Sequence, residues 1–339
     1  MMPARAVASG RLTLVTILVT AALAGVLIGL AITATRALPG LPQPDAMVRY
    51  GIPVVRVLLD MAAVVTVGLC LLPLLIGFDR PKLAEAVLAG TRRVTVASAL
   101  TWGVTALVAL VLQTAELRLS ESVTLSAVWE YIRTVGAGKA LVAVFLFAML
   151  CAGLAAWSVR KGESVPAELR AAAAMFTLLP LPVTGHATNW TWHDITMVSM
   201  ELHVMAAVTW TGGLGAVVVL LATNRTLLAH ALPRFSKLAA ICLVVSAGTG
   251  LFNAFAELLL TPGSALWRDL FGTSYGVLVL LKITCVGLLA VLGANIRWRL
   301  LPGILRHQRT ALVGWAAIEL TIMGLAFGFA VILTRAPVA

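Results

Sequence analysis

The feature that most limits what this chain can fold into is its succession of long apolar stretches. Each is close to the roughly 20 residues that a helix needs to cross about 30 Å of hydrocarbon. Such stretches run near residues 12–35, 54–78, 94–113, 138–158, 170–185, 195–222, 237–260, 275–296 and 310–333. Of the 339 residues, 60% are hydrophobic and only 12% charged, where a soluble domain carries about 25% charged residues. No soluble core of this length hides so much apolar surface, but a bilayer does. The expected fold is all-α: a polytopic membrane bundle of about nine transmembrane helices, forming a single transmembrane domain over residues 1–339.

The net charge of +11 could suggest nucleic acid. The basic residues, however, are not gathered into a patch with aromatics between them; they sit at the ends of the apolar stretches. Counted over alternate connections, sixteen Lys and Arg fall on one side and eight on the other, with Lys282 inside the eighth span. The basic side is the cytoplasmic one, so the amino terminus is expected inside and the carboxyl terminus outside, in a bacterial-type cytoplasmic (inner) membrane. The first apolar run, about 21 residues, exceeds the 7–15 residues of a signal-peptide core, so a retained helix is expected. Cys70, Cys151, Cys242 and Cys285 all lie in apolar stretches, with neither a disulfide framework nor a CxxC metal spacing. Lone cysteines in such places read as small packing residues. No nucleotide-binding loop, catalytic triad or paired-carboxylate signature is present, so neither an enzyme nor an ATP-driven pump is expected.

The informative polar residues cluster. The outward connection between the fifth and sixth spans reads Gly185-His186-Ala187-Thr188-Asn189-Trp190-Thr191-Trp192-His193-Asp194 and contains no Lys or Arg. Two of the five histidines are here, and His203 follows ten residues later. His230 and His307 fall in cytoplasmic connections and read as solvated loop residues. At 100° per residue, one face of the sixth helix carries His193, Met197, Met200 and His203, descending towards mid-membrane. Imidazole and thioether together suit copper, the thioether favouring Cu(I). A histidine within the membrane is costly and usually faces the bundle interior with a function. Just before His186, Pro180, Pro182 and Gly185 break the fifth span, and irregular backbone at membrane depth is tolerated where it is buried in protein or lines a cavity.

Gly185-His186-Ala187 after a proline-broken helix, and His203 seven residues before Trp210-Thr211-Gly212-Gly213, resemble the copper-resistance protein D family. The resemblance is best over about 170–296. The stretch Arg36-Ala37-Leu38-Pro39-Gly40-Leu41-Pro42 with Gly51-Ile52-Pro53 looks like the actinobacterial branch, whose module is often fused to a cytochrome oxidase copper-assembly domain. The resemblance implies copper handling at the inner membrane, described as import from periplasm to cytoplasm. His186, His203, Trp210, Gly212 and Gly213 inherit the motif roles, the last three as packing residues. The metal set expected is His186, His193 and His203, with Met197 and Met200 as secondary ligands. Two other readings fit the same residues. One is a b-type cytochrome with a single bis-histidine haem b; the other is a copper-delivery subunit for oxidase assembly. Expected partners are the copper ion, the bilayer, and a periplasmic copper chaperone or an oxidase-assembly protein, with nucleic acid excluded. Among charges within spans, Arg56 and Asp60 are placed to pair at i,i+4, and Lys282 is expected to bridge to Asp60 or Glu257.

Overall fold

The computed structural model describes residues 4–33, 45–118, 122–184, 193–261, 263, 265–308 and 310–336, and its side chains from residue 13 onward, with that of His193 also outside the described set. Among the described residues every regular element is helical. The helices are α1 (Ala4–Ile32), α2 (Ala46–Ile76), α3 (Pro81–Leu117), α4 (Leu125–Thr134), α5 (Gly136–Lys161), α6 (Ala167–Phe176), α7 (His193–Leu221), α8 (Arg225–Leu260), α9 (Leu266–Gly272), α10 (Ser274–Asn295), α11 (Leu301–Leu305) and α12 (Leu312–Leu333). A π-helical turn, Ile296–Leu300, joins α10 to α11.

Eight of these helical stretches are long and apolar enough to cross a membrane. The fifth expected span, 170–185, is not one helix. α6 stops at Phe176, and the chain turns and resumes as a short 3-10 helix, Leu181–Thr184. Pro180 and Pro182 each lack an amide hydrogen, and two such losses within three residues favour a break, whereas α2 and α8 run on through the isolated prolines Pro53, Pro73 and Pro233. The broken segment nonetheless reaches both ends of the bundle. At one end Arg170 Nη2 donates to Glu163 Oε2 at 3.0 Å; at the other, Thr184 Oγ1 accepts from Arg56 Nη1 at 2.5 Å. Among the described residues, eight helices are thus long and apolar enough to cross, and the broken segment 167–184 runs between the same two ends.

Two ends are chemically distinct. At the basic end, Arg234 Nη1 donates to Ile76 O at 2.7 Å and Arg225 Nη1 to His307 O at 3.0 Å, capping helix and loop carbonyls. At the opposite end, Arg118 pairs with Glu130 at 2.6 Å, Arg335 pairs with Glu116, and Ser274 Oγ donates to Ile32 O at 3.1 Å. Trp157 and Trp298 are exposed near the first end, Trp129 and Trp267 near the second. That is where amphipathic rings settle at the two faces of a bilayer. The short α4 and α9 lie in connections at the second end. Trp267 and Phe271 stack there with ring centroids 6.4 Å apart. Beside them Arg268 Nε and the Ala265 amide donate to the Asp269 carboxylate at 2.7 and 2.5 Å. The charged guanidinium and the amide hold that carboxyl below its ordinary range.

Helix lengths depart from the apolar stretches in a consistent way. α3 and α8 begin 13 and 12 residues before the expected starts at 94 and 237. Hydropathy reads only the part in hydrocarbon, whereas a helix continues wherever its side chains find water. His230 consequently sits on α8 and not in a loop, a correction to the sequence reading.

Small residues set the helix crossings. A Cβ on Gly324 would lie 2.6 Å from Leu18 O, and one on Gly328 2.2 Å from Ala22 O, so α12 lies directly on the backbone of α1. Likewise a Cβ on Gly212 would lie 2.3 Å from Val64 O, and one on Gly68 2.2 Å from Gly212 O, which puts α7 against α2. Lipid gives helices no hydrophobic reason to associate, so close backbone approach supplies the dispersion contacts that do.

At the basic end, Arg92 forks onto Glu85 at 2.7 and 2.6 Å and reaches Glu163 at 2.7 Å, while Arg170 takes the other Glu163 oxygen. Both arginines are buried, and the Nε of each lacks a partner. Glu163 thus links two buried guanidinium groups across α3, the turn after α5, and α6, and with Glu85 balances their charge. Glu163→Gln is expected to cost at least about 1–3 kcal/mol, the scale for leaving a buried donor without its partner, which is larger for charged groups. A lower midpoint of thermal unfolding for the purified protein checks it. An unchanged midpoint would mean the network does not hold this end together.

Candidate intramembrane metal site

α7 lies at the centre of the bundle, packed on α2, α8, α12 and α1. It carries one described histidine, His203, about 15 Å along the helix from residue 193 at 1.5 Å per residue. The ring points into the seam with α8. His203 Nδ1 is 3.0 Å from Ser246 O and 3.2 Å from Thr249 Oγ1. The Thr249 hydroxyl donates its own hydrogen to Val245 O at 2.5 Å, so it offers His203 only a lone pair. Nδ1 therefore faces two acceptors and carries the proton, an assignment made from the hydrogen-bond network. That leaves Nε2 with a free lone pair. Metal-binding histidines are held in the same way, the other ring nitrogen donating to a carbonyl that fixes tautomer and ring orientation.

Gly250 makes room for the ring: a Cβ there would come 2.9 Å from His203 Cε1. One turn further along α8, Asn253 Nδ2 points at Met200 Sδ, 3.8 Å away, and its Oδ1 is buried without a partner. Ser199 Oγ donates to Thr249 O at 3.5 Å and completes the seam. Ser246, Thr249, Gly250 and Asn253 were not foreseen from sequence. Their only sign there is a run of small and polar residues on α8, 43 to 50 residues after His203.

The expected ligands are distributed as follows. Met200 and His203 both face this seam, and Met197 is half-buried on the same helix. His186 and the His193 side chain lie outside the described residues. Among the described residues no three His, Cys, Asp or Glu side chains form a metal-ligating group. Trp210 is buried, and Gly213 faces Phe235 of α8, where a Cβ would meet the ring at 2.9 Å. Asp60 Oδ1 lies 3.3 Å from Arg56 Nε. Arg56 also holds Thr184, the last described residue before the segment with His186, and so anchors its entry. Among the described residues neither Glu257 nor Lys282 is within an ion-pair distance of any charged group.

Fold and seam together define a multi-pass α-helical membrane protein with an intramembrane imidazole and thioether aimed between two helices. The comparison with protein families gives this class its place. A family model for the copper resistance protein D-like N-terminal domain matches residues 47–194, and one for copper resistance protein D matches residues 229–333. The chain belongs to the copper resistance protein D family, and is a copper-related membrane protein. Neither the search of curated proteins nor that of solved structures returned a match. The two matched regions flank residues 195–228, so most of α7, with His203 and Trp210-Thr211-Gly212-Gly213, lies between them.

Proposed function

We propose that the protein takes copper from the periplasm or cell exterior into the cytoplasm across the inner membrane. His203 receives it within the membrane with His186 and His193 as further imidazole ligands, and Met200 and Met197 serve as secondary ligands. The observation that carries this reading is the free Nε2 of His203, left as a neutral donor by the two acceptors on Nδ1. Met200 adds a soft thioether on the same seam, which favours Cu(I) over harder cations. The excess of Lys and Arg at the end remote from this site supports an outward-facing orientation. α7 lies on α2 and α8, which belong to the two matched regions, and this supports reading the whole chain as one transmembrane unit with the seam at its centre.

Metal analysis and an absorption spectrum of the purified protein test the reading. Copper is expected at a fixed stoichiometry, with no Soret band. A Soret band that disappears in His203→Ala, with copper binding unchanged, would replace copper transport with haem ligation.

A further inference from the structure

Glu319 is the most deeply buried carboxyl of the membrane helices, at 2% exposure. It lies seven residues into α12, about 10 Å from the helix start at the basic end. It belongs to the α12 face that also buries Leu312, Ala316, Leu320 and Met323. One oxygen, Oε1, has no hydrogen-bond partner. Gly293 of α10 stands opposite: a Cβ there would lie 3.7 Å from that oxygen. Three residues on, α10 widens into the π-turn Ile296–Leu300, a kind of insertion that often marks functional positions.

The elements packed on α12 offer Glu319 no counter-charge. α1 has no titratable side chain from residue 13 to 32; α7 brings the acids Asp194 and Glu201 and the imidazole His203, all in its first eleven residues at the end remote from Glu319, and none after His203. α2 brings Asp60, already bound to Arg56, and the thiol Cys70. α10 brings Tyr275, Lys282 and Cys285; Lys282 is eleven residues before Gly293, about 16 Å away along the helix. Arg297 and Arg299 in the π-turn are exposed, and Arg297 Nη1 points to Ser236 O at 3.4 Å. An ionised carboxylate buried without a partner is prohibitively costly, and such a group takes up a proton instead.

We propose that Glu319 is a proton-binding site on the α10–α12 seam, exchanging its proton with the basic side, and that passage of the cargo is linked to that proton. A hard metal cation would need several oxygen ligands around it, and the neighbouring backbone is helical and already hydrogen-bonded. Copper selects imidazole and sulfur over a lone carboxyl. A proton needs only the one orphaned oxygen. The site is independent of the copper reading; the linkage rests on it.

Infrared spectroscopy of the full-length, copper-free protein in lipid at neutral pH tests the site. A protonated-carboxyl C=O band that shifts in D2O is expected in the wild type and in Glu257→Gln, and is expected to be lost in Glu319→Gln. The amide is nearly isosteric with the protonated acid, so folding should be retained, and a thermal midpoint checks it. Identical carboxyl bands in wild type and Glu319→Gln would overturn the site. In vesicles, wild-type copper uptake should depend on an imposed pH difference, and uptake by Glu319→Gln should lose that dependence. If both respond equally, or neither responds, the linkage is overturned. A chain that takes up no copper at all would sink the transport reading and leave the infrared result to decide the site.

Discussion

His203→Ala is expected to weaken copper binding by roughly 100-fold or more and to reduce copper accumulation in expressing cells to background. The estimate starts from the groups that orient metal-bound histidines, whose loss typically costs 10–100-fold in affinity. Removing the ligand itself should exceed that. Loss of folding is not the expected cause, because hydrogen bonds between membrane helices average only about 0.6 kcal/mol, and α7 keeps its contacts with α2. Thr249→Val supplies the graded companion. It removes one of the two acceptors on Nδ1 and leaves Ser246 O in place, so a loss near the low end, about tenfold, is expected. Copper bound per purified protein, measured in competition with a Cu(I) chelator, reads both. If His203→Ala binds copper as the wild type does, the seam is not the site.

The second large effect concerns the α2–α7 crossing. Gly212→Ala would put a methyl 2.3 Å from Val64 O, and Gly68→Ala would put one 2.2 Å from Gly212 O. Backbone atoms cannot rotate aside, so either change must push the two helices apart. Overpacking commonly costs about 1–3 kcal/mol, occasionally more, and with backbone on both sides the upper end is expected. Little monodisperse protein should be recovered from either variant. Gly215→Ala, on the same helix with nothing within 4 Å of the added methyl, should be harmless or mildly stabilising, since alanine is the better helix former by about 1 kcal/mol. Equal yields from Gly212→Ala and Gly215→Ala would refute the crossing.

Much of the architecture follows from amino-acid order alone, because a hydrocarbon slab imposes length and polarity on whatever crosses it. Apolar stretches therefore locate the helices, and the two prolines before His186 mark where one of them breaks. The same logic singled out His203, since an imidazole at membrane depth needs a reason to be there. What the tertiary structure decided is which faces meet. In lipid, a face against another helix and a face against acyl chains are both apolar, so no periodicity separates them. Only the folded bundle brings Ser246 and Thr249 to Nδ1 of His203, opens Gly250 for the ring, joins α2 to α7 at two glycines, and keeps Lys282 away from Asp60. α3 and α8 likewise run on beyond their apolar stretches, because hydropathy reports where the hydrocarbon ends and a helix is held by hydrogen bonds that continue past it. Glu319 shows the division most sharply: its place in an apolar stretch is plain from sequence, but its lack of a partner is a property of every helix around it.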